Sequence, residues 1–182
     1  VSSPSPNFYG GSRKEPLPMG TSVTALNADT GKVVWSRQLV HHDLWDFDVN
    51  SAPVLVAINK GGQTIPALVQ STKMGFIFVL NRMTGQPIFP IKEEPVPQTD
   101  VPGDVSSPTQ PVPVLPKPLV PARWSGVSTL ADIASLGGCS RQLHKLRYEG
   151  RFTPPSVRGS LIYPATPGGV EWGGGAVDPV ND

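Results

Sequence analysis

The chain has 182 residues and a net charge of +1, and its fifteen Lys and Arg are scattered, so the concentrated basic footprint of a nucleic-acid binder is missing. Its apolar stretches, at 53–58 and 75–80 for example, fall far short of the ~20 residues needed to cross a bilayer. The single cysteine, Cys139, excludes an intrachain disulfide and a cysteine-based zinc cluster and is expected to be a small buried apolar residue.

The N-terminal Val1-Ser2-Ser3-Pro4 has neither the basic flank nor the apolar run of a secretion signal. That is expected if a signal was removed or if the chain begins inside a longer protein. Strands are then predicted at 22–27, 33–39, 53–58, 65–72 and 76–81, which are rich in valine, isoleucine and aromatics and separated by turn signals. Within them is a repeat. Ala25-Leu26-Asn27-Ala28-Asp29-Thr30-Gly31-Lys32-Val33-Val34-Trp35 recurs loosely as Val79-Leu80-Asn81-Arg82-Met83-Thr84-Gly85-Gln86-Pro87-Ile88-Phe89, which puts Gly31 and Gly85, like Trp35 and Phe89, 54 residues apart. Each copy reads as a hairpin: a strand, a Thr-Gly turn whose glycine takes positive φ, and a strand with a large aromatic. Sheet units repeating at this length point to a β-propeller, in which each blade buries its faces against its neighbours. Two recognisable copies do not close a ring, so the expectation is part of one.

Between the two copies' partner strands, His41-His42-Asp43-Leu44-Trp45-Asp46-Phe47-Asp48 is the densest polar and aromatic cluster. Its carboxylates and imidazoles suit general-base chemistry, although Asp-rich loops also serve as caps and turns. Adjacent histidines on an extended chain point to opposite faces, which argues against a zinc pair. Lys73 follows at a predicted strand end; most such lysines are simply solvated.

Eleven of the 22 prolines lie between Pro87 and Pro121. Proline lacks the N–H and restricts its predecessor, so this stretch cannot be helix and can hardly be a central strand. A long extended excursion is predicted there. Short helices at 129–136 and 140–148 follow, broken by Gly137-Gly138, with Leu143, Leu146 and Arg147 at helical spacing. A strand is predicted at 160–165. Gly168-Gly169 and Gly173-Gly174-Gly175 flank Glu171-Trp172, a pattern that suits backbone packed close to something flat, or a tight turn.

Seven motifs, in order, resemble the membrane-bound type of pyrroloquinoline-quinone-dependent (quinoprotein) glucose dehydrogenase. They are His41-His42-Asp43-Leu44-Trp45-Asp46, Thr72-Lys73-Met74-Gly75, Leu80-Asn81-Arg82-Met83-Thr84-Gly85, Pro95-Val96-Pro97-Gln98, Ser107-Pro108-Thr109-Gln110-Pro111, the run from Arg147-Tyr148-Glu149-Gly150 through Arg151-Phe152-Thr153-Pro154-Pro155-Ser156, and Trp172-Gly173-Gly174. The resemblance implies an all-β fold, about two to three blades of an eight-bladed propeller, with 1–90 as blade repeats, 91–150 as a Pro-rich excursion with short helices, and 151–182 as the start of a further blade. It also implies pyrroloquinoline quinone near the propeller axis, beside Ca2+ or Mg2+ whose ligands lie mostly outside this chain. Asp46 maps onto the general base and Lys73 onto the lysine that contacts the quinone oxygens. Glu171 and Trp172 match a segment near the quinone, and His42 is placed by sequence proximity to orient Asp46 or to meet the substrate.

The implied reaction oxidises a sugar, polyol or cyclic alcohol in the periplasm, with a quinone as electron acceptor for the full-length enzyme. The chain alone is expected to be inactive, because metal-binding and ring-closing blades are missing from it, and open blade edges invite oligomerisation. Where relatives show Trp-Gly-x-Thr and an Asp, this chain has Trp124-Ser125-Gly126-Val127-Ser128-Thr129, so any function of that excursion does not carry over. The competing reading is a non-catalytic propeller scaffold for protein–protein binding, which has no need of Asp46 and Lys73 at matching positions.

Overall fold

A computed structural model describes residues 1–178. Five strands occupy the first half: β1 (Ser22–Leu26), β2 (Val33–Gln38), β3 (Val54–Lys60), β4 (Gln63–Ser71) and β5 (Ile77–Asn81). All five predicted strands are present. β1 and β2 form an antiparallel hairpin, while β3, β4 and β5 form an antiparallel sheet with β4 in the middle.

The two repeat copies share the main bonds of their turns. In the first, Gly31 donates to the Asn27 carbonyl at 2.8 Å and Asn27 N–H to the Lys32 carbonyl at 2.8 Å; in the second, Gly85 donates to Asn81 at 2.8 Å and Asn81 to Gln86 at 2.7 Å. Each asparagine side chain accepts a backbone N–H two residues on, from Asp29 and from Met83. Both glycines are left-handed, with φ of 67° and 69°. The return strands differ. After Gly85 the pairing shrinks to a Leu80–Pro87 bridge, since Pro87 has no N–H to give, and one more bond, Ile88 N–H to Val79 O, continues it. β3, β4, β5 and this short return make a four-run antiparallel meander, the form of one propeller blade. The copies are also fastened together. Trp35 lies against Gly85, so that a Cβ there would fall 2.6 Å from the indole, its Nε1 donates to the Arg82 carbonyl at 3.0 Å, and Arg37 Nε donates to the Gly85 carbonyl at 2.6 Å.

The core sits where the loop after β2 meets β5. Leu39, Val40, Leu44, Trp45, Phe47, Met74, Phe78 and Leu80 are completely buried. Phe152 comes back from far along the chain to pack edge-on against Trp45 and Phe47, and Trp45 Nε1 donates to the Thr153 carbonyl at 2.7 Å. Burying each such side chain stabilises the fold by roughly 1.5–3 kcal/mol.

The Pro-rich segment is more regular than expected. β6 (Ile91–Pro95) and β7 (Thr109–Pro113) pair antiparallel over five residues. Prolines are tolerated because, among the described residues, this sheet has two strands, each with an open edge that needs no donor. Buried Gln110 then reaches outward, accepting from His41 N–H at 2.8 Å and donating to His41 C=O at 2.6 Å. Its amide completes both backbone bonds of His41.

Helices α1 (Thr129–Ala134) and α2 (Gly138–Leu143) follow. Ser128 caps α1 by accepting from Ala131 N–H. α2 ends five residues earlier than predicted, so Leu146 and Arg147 are not helical. Neither helix buries a residue, and Cys139 is exposed, contrary to expectation. The strand predicted at 160–165 is reduced to a single Arg147–Ser160 bridge; Pro164 and Pro167 leave too few donors for a ladder.

Candidate active site

The chain leaves β2 through Leu39, whose N–H donates to Thr21 O at 2.9 Å, and enters the His41–Asp48 loop already pinned by Gln110. Asp43 is the loop's cap. Its Oδ1 accepts from Trp45 N–H at 2.9 Å and Phe47 N–H at 3.2 Å, and its Oδ2 from the Ser3 and Thr21 hydroxyls. Burial pushes the Asp43 carboxyl above its ordinary range, against those hydrogen bonds. One of the three carboxylates of this loop is therefore structural.

Beyond Asp43 the residues alternate. Trp45 and Phe47 are buried completely, which turns Asp46 and Asp48 to the other side. Asp46 is left-handed at φ 61°, a conformation Asp adopts more readily than most residues. The turn lets one residue offer two oxygens to the same cation: Lys73 Nζ lies 3.0 Å from the Asp46 carbonyl and 3.1 Å from its Oδ2. Asn7 donates to Asp46 Oδ1 at 2.8 Å.

Lys73 stands in the loop from β4 to β5. Thr72 N–H and Oγ1 both donate to Phe76 O, and Gly75, with φ 74°, closes the turn. The segment at 165–169 crosses this loop closely. Gly169 N–H donates to Lys73 O at 2.6 Å, and a Cβ on Gly168 would meet the Lys73 Cβ at 2.6 Å. Of the first glycine pair, Gly168 thus packs against Lys73 itself, and Gly169 against Val120 and Gly75. The Lys73 side chain is 11% exposed and also pairs with Asp48 Oδ1 at 2.5 Å. Burial lowers its affinity for a proton, but hydrogen bonds and charge from Asp48 and Asp46 outweigh that and hold its pKa above the ordinary lysine value. It stays an ammonium.

The other expected site residues are placed differently. Glu171 Oε2 accepts from Asn50 Nδ2 at 3.1 Å, two residues beyond Asp48. Trp172 is 80% exposed, its indole face open, and nothing lies within 4 Å of a Cβ added at Gly173. His42 packs on Gly10 rather than on Asp46. Burial, then the nearby Arg13 charge, pushes the His42 pKa below 6.5, and the ring lines a cleft of about 260 Å³ with Arg13, Gln38 and Ser106. Holding Asp46 falls to Lys73 and Asn7.

The sequence marks Asp48 only as one of the loop's carboxylates, and gives Asn7, Ser2 and Asn50 no role. The i, i+2 spacing of Asp46 and Asp48 was the available signal for the first; the N-terminal residues arrive from 39 and 46 positions away without any. Chemically, the Asp46–Lys73 pair provides a carboxylate able to take a proton and an ammonium able to face a developing negative charge. Among the described residues no group of three or more His, Cys, Asp or Glu is arranged to hold a metal ion.

Comparison with known proteins bears on this geometry. The family described as "PQQ: Glucose/ethanol/alcohol dehydrogenase, beta-propeller domain" matches residues 1–182. Quinoprotein glucose dehydrogenase of Gluconobacter oxydans (strain 621H) is 50% identical over 181 residues, covering 96% of this chain and 22% of that protein. The quinoprotein glucose dehydrogenase of Escherichia coli (strain K12) is 43% identical, covering 96% of this chain and 22% of its own length. Quinate/shikimate dehydrogenase (quinone) of Acinetobacter baylyi is 38% identical, with 100% of this chain and 23% of that protein covered. The chain thus spans less than a quarter of each of these relatives.

Proposed function

This chain belongs to the PQQ-dependent glucose/ethanol/alcohol dehydrogenase family, within its β-propeller domain, and we propose that it contributes the proton acceptor and the cofactor-facing cation of an enzyme oxidising a sugar, polyol or cyclic alcohol. The observation that carries this reading is the 3.1 Å contact between Lys73 Nζ and Asp46 Oδ2. A base and an oxyanion partner, 27 residues apart in sequence, share one site.

The residues present fit one side of a planar, anionic cofactor. Lys73 offers a fixed positive charge, and Trp172 offers an open ring face whose neighbour Glu171 is tied through Asn50 to the Asp46–Asp48 loop. When bound, pyrroloquinoline quinone would supply the acceptor for a hydride, which carries both electrons of the oxidation. Asp46 takes the proton of the substrate hydroxyl while the carbon-bound hydrogen leaves with its electron pair, so an alcohol becomes a carbonyl compound with both hydrogens accounted for. The Lys73 ammonium, through its bond to Asp46, keeps the base oriented, and its charge would stabilise negative charge developing on the acceptor side. Ligands for a divalent cation, and the blades that shape the substrate pocket, are assigned to the remainder of the parent protein. An aldose is the first substrate to test, since the relatives of 50% and 43% identity are named for glucose. A periplasmic location rests on the family alone.

The test is Asp46→Asn in the full-length parent. Turnover is expected to fall at least ~10³-fold, on the scale of losing a general base and more, with the quinone Kd within about threefold of wild type. Weakened quinone binding with an unchanged rate per bound cofactor would give Asp46 another job and sink the proposal.

A further inference from the structure

We infer that Asp48 is a positioning residue of this site, which holds the Lys73 ammonium in place and balances its charge while Asp46 takes up the substrate proton. The inference rests on the reading of Asp46 and Lys73 given above and adds a third residue to it. Asp48 is the nearest partner of Lys73, at 2.5 Å against 3.1 Å for Asp46 Oδ2, and its side chain is the more buried of the two acids, at 17% against 25% exposure. The Ser2 hydroxyl donates to its other oxygen at 3.2 Å, which fixes the carboxylate from behind.

An ammonium has three N–H donors; Lys73 gives two of them to Asp46, at its carbonyl and Oδ2, and pairs by charge with Oδ1 of Asp48. From the 165–169 segment that crosses it, Gly168 and Gly169 lie against Lys73. Among the described residues, the charged groups that act on Lys73 are Asp48 and Asp46. While both are ionised, the three groups sum to one negative charge; once Asp46 holds a proton they sum to zero. Remove Asp48 and the same step goes from neutral to an uncompensated positive charge on a nearly buried lysine, which is costly. Asp48 therefore makes proton uptake by Asp46 easier without touching substrate. It also opposes the burial that works to strip Lys73 of its proton.

The experiment compares Asp48→Asn, Asp48→Glu and Lys73→Ala in the full-length holoenzyme, reading kcat, KM and, on the apoenzyme, the pH above which quinone binding weakens. For Asp48→Asn we expect kcat to fall about 10–100-fold with KM within threefold. The alkaline limit of quinone binding should drop by about one pH unit or more, the usual effect of losing an opposite charge at this range. Asp48→Glu should keep that limit within about half a unit. If Asp48→Asn does not fold, Asp48→Glu is read alone, and a limit displaced by a full unit despite the retained charge overturns the inference. So does a folded Asp48→Asn with an unmoved limit, or equal displacement by both variants. Lys73→Ala separates this from the proposal beneath it. If it leaves quinone binding and turnover intact, the Lys73 reading itself fails; if it abolishes both while Asp48→Asn is silent, the Asp48 assignment alone falls.

Discussion

The β2–β3 loop and the α1–α2 segment are both irregular connections, yet they are built in opposite ways. The first sinks Leu44, Trp45 and Phe47 completely, is capped by Asp43 and is pinned at His41 by Gln110. The second leaves Leu130 82%, Ile133 66% and Leu136 84% exposed, and is held mainly by its own turns and helix caps. The contrast shows where this chain can support precise chemistry. A carboxylate keeps its place to within a few tenths of an ångström only when the residues on either side are immobilised, and Asp46 lies between two fully buried aromatics.

The contrast can be broken most forcefully at Trp45. Trp45→Ala removes an aromatic that touches Phe47 and Phe152 and donates to Thr153, so urea denaturation of the full-length protein should show a loss of about 3–5 kcal/mol. A cost below ~1 kcal/mol would mean that the loop is not anchored by its aromatics. Next come the twin turns. Gly31 and Gly85 share backbone geometry, but the space at Gly31 is open whereas Trp35 fills that at Gly85. Gly31→Ala should therefore cost only the left-handed penalty, about 1 kcal/mol. Gly85→Ala should cost about 1–3 kcal/mol more, because the indole must move; equal costs would show that the repeats are not fastened there. The smallest effect belongs to the other loop. Leu130→Ser should stay within about 0.5 kcal/mol in the same assay, and a larger loss would mean that α1 is covered in the parent protein.

Much of the fold was legible beforehand, and for local reasons. The five strands of the first 81 residues follow from β-branched and aromatic runs, and the paired turns from Asn-x-x-Thr-Gly, whose asparagine and glycine act within five residues of each other. The misjudged parts needed partners. Prolines at 95, 111 and 113 spoke against strands, yet β6 and β7 pair because neither is a central strand. The expected strand at 160–165 had strand-like residues but found only Arg147 beside it.

The candidate site divides the same way. Sequence by itself determined the motif-bearing residues: Asp46 and Lys73 were singled out from their motifs, and the Asp-rich loop from composition. Tertiary structure alone decided which acid became a buried cap and which two shared a lysine. It likewise put His42 against Gly10, tethered Glu171 to Asn50 across 121 residues, and brought Ser2 and Asn7 onto the carboxylates. Hydrogen bonds and ion pairs act over a few ångströms of space, whereas sequence records only separation along the chain; where the path folds back, spacing carries no trace of the partner that waits there.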